Sequence, residues 1–200
     1  GPGAQLQQFG IRPVLDVPGV GQNLRDHISA LLIYRARISD GTVGISPVGA
    51  ARLAKAMWQW RRHRTGLLTS CAAESGAYYK TGPDVEVPDM EMELIVGIGE
   101  DHGRKPPIGH GYSAHLLLAR PRSVGEVRLA SPDTRVAPLI DPRYFSHPDD
   151  IATLVKGTQI ALDVMADPAF DRYRGEMVIE YRRDDPQQIE DTLRAHADTE

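Results

Sequence analysis

Apolar and polar residues alternate with a period of two along Asp89–Val96, where Met90, Met92, Leu94 and Val96 share one side and Glu91 and Glu93 the other. This predicts a strand with one buried and one half-exposed face, the usual state in an antiparallel sheet. Ser29–Arg37, centred on Leu31, Leu32, Ile33 and Tyr34, predicts another strand; Ser75–Lys80, Tyr112–Ala119 and Glu126–Ala130 add three more. Pro121–Gly125, between the last two, is short enough for a hairpin. Elsewhere the period lengthens to that of a helix. Val48, Ala51, Leu53, Ala54, Met57, Trp58 and Trp60 give Pro47–His63 a broad apolar face, and the tryptophan pair is expected in the core. Ile151, Leu154, Val155, Thr158, Leu162 and Met165 define a second helix, capped from Ser146, with Asp149 and Asp150 in its first turn and Pro168 past its end. A third begins at Pro186 behind Asp185, with Ile189 and Leu193 one turn apart, and residues 4–9 end a helix at Gly10. Residues 11–27 are expected to be irregular. Residues 99–111, rich in glycine and proline, are expected to form a mobile loop that proteases cut first near Arg104 or Lys105. Strands and helices do not alternate as βαβ units, so the pattern predicts an α+β fold with a largely antiparallel sheet.

Composition adds bounds. With 200 residues, 41% hydrophobic and 25% charged, the chain is long enough to bury a core without disulfides or metals. A net charge of −4 gives no sign of a nucleic-acid partner, and Arg61, Arg62 and Arg64 read as a solvated helix end. The single cysteine, Cys71, excludes an internal disulfide and a multi-cysteine zinc site. It is expected to be a small buried hydrophobe rather than a reactive thiol. No apolar run approaches the ~20 residues that span a bilayer, and no signal peptide opens the chain, so the expected location is cytoplasmic. The start, Gly1-Pro2-Gly3 without methionine, reads as a cloning scar or as a cut from a longer chain.

Four groups of residues invite a chemical reading. Gly19 and Gly21 suggest a dinucleotide loop, but Leu24 stands at the third glycine position and no clear strand–turn–helix surrounds them, so no FAD is expected to bind this chain alone. His110 and His115 are five apart, a spacing that suits neither a strand nor a helical metal pair, and no metal is expected. Asp26-His27 suits either an acid–base pair or a turn. Glu74, an isolated carboxylate between small residues and a strand, reads as a surface charge.

Four runs, in order, resemble the glucose–methanol–choline (GMC) oxidoreductase family. Gly1-Pro2-Gly3-Ala4-Gln5-Leu6 through Phe9-Gly10-Ile11 resembles the segment directly after the family's second signature, with Gly1 as the signature's last residue. Asp16-Val17-Pro18-Gly19-Val20-Gly21-Gln22-Asn23-Leu24-Arg25-Asp26-His27 is similar to the pattern Pro-Gly-Val-Gly-x-Asn-Leu-x-Asp-His and is the most specific match. Gly66-Leu67-Leu68-Thr69-Ser70 through Glu74-Ser75-Gly76-Ala77-Tyr78 resembles a stretch in which a glutamate precedes a short strand. Arg120-Pro121-Arg122-Ser123-Val124-Gly125-Glu126-Val127-Arg128-Leu129 with Pro138, Ile140, Pro142, Tyr144 and Asp149-Asp150 is the fourth, with Val124 where members commonly have arginine. The run Leu193–Thr199 resembles the residues just before the family's His-Pro-Val-Gly-Thr segment.

The resemblance implies about five or six antiparallel strands with helices packed on one face, the family's substrate domain. It implies that residues 1–27 belong to or contact the FAD-binding domain of a longer parent, with Asn23, Asp26 and His27 near the cofactor. Residues 28–200 would be the substrate-binding domain, truncated before the catalytic histidine motif, so that no catalytic residue is expected up to Glu200. The parent reaction would be hydride transfer from a small primary alcohol to FAD, as in choline-acting and related alcohol dehydrogenases, with Glu74 facing the substrate; the chain alone would be inactive. A GMC-type hydroxynitrile lyase and a non-catalytic truncated binding module are the alternatives.

Overall fold

The computed structural model describes residues 1–99 and 108–199. In chain order its elements begin with α1 (Gly3–Gln8), β1 (Gln22–Leu24), β2 (Ile28–Ala36), β3 (Gly44–Ile45), α2 (Pro47–His63), β4 (Ala73–Tyr79) and β5 (Met90–Ile95). They continue with β6 (Gly109–Leu118), β7 (Gly125–Arg128), β8 (Leu139–Asp141), α3 (Pro148–Met165), β9 (Arg174–Met177), α4 (Pro186–His196) and β10 (Asp198–Thr199). Among the described residues every pair of these strands is antiparallel, in keeping with the α+β expectation.

The main sheet runs β10-β2-β6-β5-β4, with short β9 beside the far end of β2 and β3 beside the start of β6. Side-chain alternation divides its faces. Ile28, Ala30, Leu32 and Tyr34 of β2, Met90 of β5, and Tyr112, Ala114, Leu116 and Leu118 of β6 form one buried face. Against it pack Ile151, Leu154, Val155, Ala161, Leu162 and Met165 of α3 and Ile189 and Leu193 of α4. Helices therefore cover one face, and this sandwich is the core. A second sheet, β1-β7-β8, holds the N-terminal segment to the middle of the chain.

Several expectations need correction. The 11–27 stretch contains a strand, β1, paired with β7. The chain does not return from β6 as a hairpin: β7 lies in the other sheet. The cause is the buried Asp150 carboxylate at the start of α3, which accepts the amides of Arg122 and Ser123 at 2.8 Å each and draws the connection toward the helix. The cap of α3 is His147, whose Nδ1 accepts from the Asp149 amide, and not Ser146; Asp185 caps α4 as expected. Residues 109–111, expected in a loop, belong to β6, where Gly44 and Ile45 pair with His110 and Gly109. The centre of that loop, residues 100–107, lies outside the described residues. Helix α2 has the expected bounds, but its apolar side chains do not join the core: Ala56 alone is buried, and Trp58 is 63% and Trp60 42% exposed. Cys71 is also exposed, because the turn before β4 lies at the sheet edge.

Candidate functional site

The residues singled out in the sequence fall at opposite ends of the main sheet. Asp26 and His27 directly precede β2, whose first residues pair with the end of β6, which in turn pairs with the start of β5. Glu74 lies near the start of β4, opposite the end of β5. The structure thus groups Asn23, Asp26 and His27 and leaves Glu74 apart.

At the first end, Asn23 adopts a left-handed backbone (φ 63°) within β1 and is exposed. Asp26 is half-buried and Oδ2 accepts hydrogen bonds from the Tyr144 hydroxyl and from Thr199 Oγ1, the latter at 2.6 Å. Burial alone would raise its pKa, yet the bonds from Thr199 and Tyr144, with smaller help from His27, hold it below the ordinary value. Burial, reinforced by the Asp26 bond, pushes Tyr144 up to about 12, so the phenol remains the donor. Tyr144 and Thr199 were missed as site residues, although Tyr144 stood in a run already singled out. His27 is exposed and borders an open cleft of about 900 Å3 that also touches Arg25, Glu86, Arg120, Asp149 and Lys156. The cleft carries both signs of charge and does not include Glu74.

The glycine run does not fit a flavin pyrophosphate. Gly21 (φ +79°) sits so close to β7 that a Cβ there would stand 2.2 Å from the Val127 carbonyl oxygen. The Gly21 carbonyl accepts the Val127 amide at 2.6 Å. A strand follows the turn, not the helix N-terminus that would face a phosphate. Gly21 serves sheet pairing and Gly19 the turn before it, where its carbonyl accepts the Gln22 amide, and no flavin chemistry is assigned to them.

At the other end, Glu74 is the extra residue of a bulge: Ala73 pairs with Ile95 and Ser75 with Leu94. Glu74 is exposed and accepts a hydrogen bond from Ser70 Oγ, which also accepts the Ala72 amide at 3.0 Å. Ala72 before it has φ 69°, a conformation unusual for a residue with a side chain. Two further carboxylates, Glu91 and Glu93, alternate with the core residues Met90, Met92 and Leu94 and so belong to the face away from α3 and α4. Tyr78 donates to Glu91, and that bond and charge raise the phenol above its ordinary value. Glu93 stands directly opposite His115 of β6 in register. Past β5 the chain folds over part of this face: the Gly97 carbonyl accepts from Ser113 Oγ at 3.1 Å, and the Ile98 side chain fills the space over Gly111. The acidic face was legible as alternation, but its distinction from an ordinary solvated face was not. His110 is held elsewhere, its ring against Ser46 Oγ at 2.7 Å and Thr42 Oγ1 at 3.2 Å. Among the described residues no group of histidine, cysteine and carboxylate side chains could hold a metal ion, and no helix is long and apolar enough to cross a membrane.

Comparison with known proteins fits this architecture. Residues 121–200 match the C-terminal family profile described as GMC oxidoreductase. An alcohol dehydrogenase (acceptor) of Pseudomonas putida is 34% identical over 173 residues, covering 86% of this chain and 31% of the relative. An oxygen-dependent choline dehydrogenase of Brucella anthropi is 34% identical over 176 residues, covering 88% and 32%. The chain thus spans about a third of the length of these curated relatives. Among solved structures, formate oxidase from Aspergillus oryzae superposes with a TM-score of 0.84 at 20% identity, covering all of this chain and 39% of that one. An FAD-dependent oxidoreductase from Chaetomium thermophilum gives 0.73 at 16% identity, covering 99% and 40%. With the Pro-Gly-Val-Gly-x-Asn-Leu-x-Asp-His pattern at residues 18–27 embedded in this fold, the chain is similar over most of its length to one stretch of longer GMC oxidoreductases, and its residues 121–200 match that family's C-terminal profile.

Proposed function

We propose that the chain is the substrate-domain segment of a cytoplasmic, FAD-dependent alcohol dehydrogenase of the choline-acting kind, inactive without the rest of its parent. Residues 28–200 form the substrate domain. Residues 1–27 meet the FAD-binding domain of the same protein, with Asn23, Asp26 and His27 nearest the cofactor. The partners are that domain and a small primary alcohol, and the flavin supplies the redox step when bound to the parent.

The observation that carries the reading is the set of carboxylates spread along the β4–β5 edge of the main sheet. Glu74, Glu91 and Glu93 lie on two adjacent strands, and none forms an ion pair among the described residues. Unneutralised carboxylates attract a quaternary ammonium group, and the attraction grows from ~1 kcal/mol in bulk water to ~4 kcal/mol where the site is partly dry. Glu74, tied to Ser70 at the bulge, is the residue assigned to the cationic headgroup.

In the full-length protein, Glu74→Gln is expected to lower kcat/KM for choline about tenfold or more and to change that for a neutral primary alcohol by about twofold at most. Equal losses for both alcohols would assign Glu74 a structural part. Absence of choline turnover by the unaltered protein would turn the reading toward a neutral-alcohol dehydrogenase.

A further inference from the structure

The long helix α2 is turned the wrong way for a helix of a self-contained domain. Its half-buried side carries Arg52 and Gln59 beside the buried Ala56, whereas Leu53, Met57 and Trp60, at i, i+4 and i+7, face outward with Trp58 beside them. Leu67 and Leu68, just past the helix, extend the exposed apolar surface. None of these side chains joins the core cluster.

The charge around this surface has one sign. None of the chain's 27 acidic residues falls in residues 41–73, which hold Arg52, Lys55, Arg61, Arg62 and Arg64. Arg52 is engaged by Asp40, 3.7 Å away. Lys55, Arg61, Arg62 and Arg64 form no ion pair among the described residues. The Arg64 guanidinium lies over the Trp60 ring at 4.2 Å, a cation held at the edge of the apolar patch. The rest of the chain is acidic, so this helix is a local inversion of its field.

We propose that α2 is a peripheral membrane-contact element that lays Leu53, Met57, Trp58 and Trp60 into the interface of an anionic phospholipid bilayer. Tryptophan favours the boundary between headgroups and acyl chains, where its ring is apolar and its N–H is wet. Basic residues flanking such a face are drawn to anionic headgroups, and the attraction weakens as salt screens it. A helix of this length lies along the surface and does not cross it, in keeping with the absence of a spanning helix among the described residues.

Trp58 and Trp60 are the only two tryptophans of the chain, so intrinsic emission reports on this helix alone. The chain should float with vesicles of phosphatidylcholine containing phosphatidylglycerol, and its emission should shift to the blue. Vesicles of phosphatidylcholine alone should recover little of it, and high salt should release most of the bound fraction. Arg61→Glu with Arg62→Glu should lower partitioning about tenfold or more, and Trp58→Ala with Trp60→Ala should do likewise, with circular dichroism showing the fold kept. Absence of binding to anionic vesicles, or equal binding to both kinds, overturns the proposal. So does a blue shift that follows protein concentration without lipid and accompanies a dimer mass, which would make a second copy the occupant. Flotation of the chain but not of a full-length protein carrying it would show that the parent itself covers the face, and would likewise overturn it.

Discussion

Asp26 joins three parts of the sequence that are far apart: the turn before β2, the Tyr144 corner and the terminal strand β10. Two hydroxyls depend on its carboxylate, so Asp26→Ala is expected to cost about 1–3 kcal/mol at neutral pH. The pH dependence has a definite sign. A carboxylate whose folded pKa lies below its unfolded value contributes its full stability above the unfolded value and loses it as pH falls through the folded one. Asp26 is held below its ordinary 3.8, so the gap between native chain and Asp26→Ala should be full near neutrality and shrink from about pH 4 downward. Urea unfolding midpoints for both proteins at neutral and acid pH measure it, and a gap that stays constant into acid would refute it. The sequence offered Asp26-His27 as a pair but could not name Tyr144 or Thr199, because such partners are set by folding and not by spacing. It also placed Cys71 inside, since a lone cysteine among small residues reads as core until the edge of the sheet is known.

The elements were more legible than their neighbours. Alternation in Met90–Ile95 and the 3.6-residue period of Ile151–Met165 identified faces that do meet in the core, because both patterns follow from backbone geometry. The same reasoning failed for α2. Period shows that a face exists, but whether it is covered depends on what the rest of the protein brings to it. The hairpin expected between β6 and β7 failed for a related reason: a short connection is necessary for a hairpin, yet Asp150 captures this one for the start of α3. A paired substitution separates the two helices. Leu154→Ala empties a fully buried site and should cost about 2–5 kcal/mol. Leu53→Ala, at a half-exposed site on α2, should stay within about 0.5 kcal/mol. Equilibrium urea denaturation gives both, and a large loss for Leu53→Ala would mean that α2 is packed in solution.

At the scale of the whole molecule, the chain is a scaffold whose glycine turn is engaged by its own sheet. Titration of FAD into the isolated chain should therefore leave flavin fluorescence unchanged at comparable concentrations, and saturable quenching would contradict the reading of Gly21. Strand order was the least legible property, since pairing joins residues that no local pattern connects. The ladder at the centre of the main sheet shows how far this goes. Ser29 pairs with Leu117, so the inner strand β2 cannot be satisfied until a loop of about ninety residues has closed. The neighbouring pair β5–β6 and the edge pair β4–β5 join segments much nearer in sequence and can assemble earlier. The expected kinetics are those of a high-contact-order domain, slow to fold. During synthesis from the N-terminus, Ile28–Ala36 would emerge first and wait unpaired, apolar and β-prone, until β6 has left the ribosome. That interval is when the chain is most exposed to aggregation, and when a chaperone would most affect its yield.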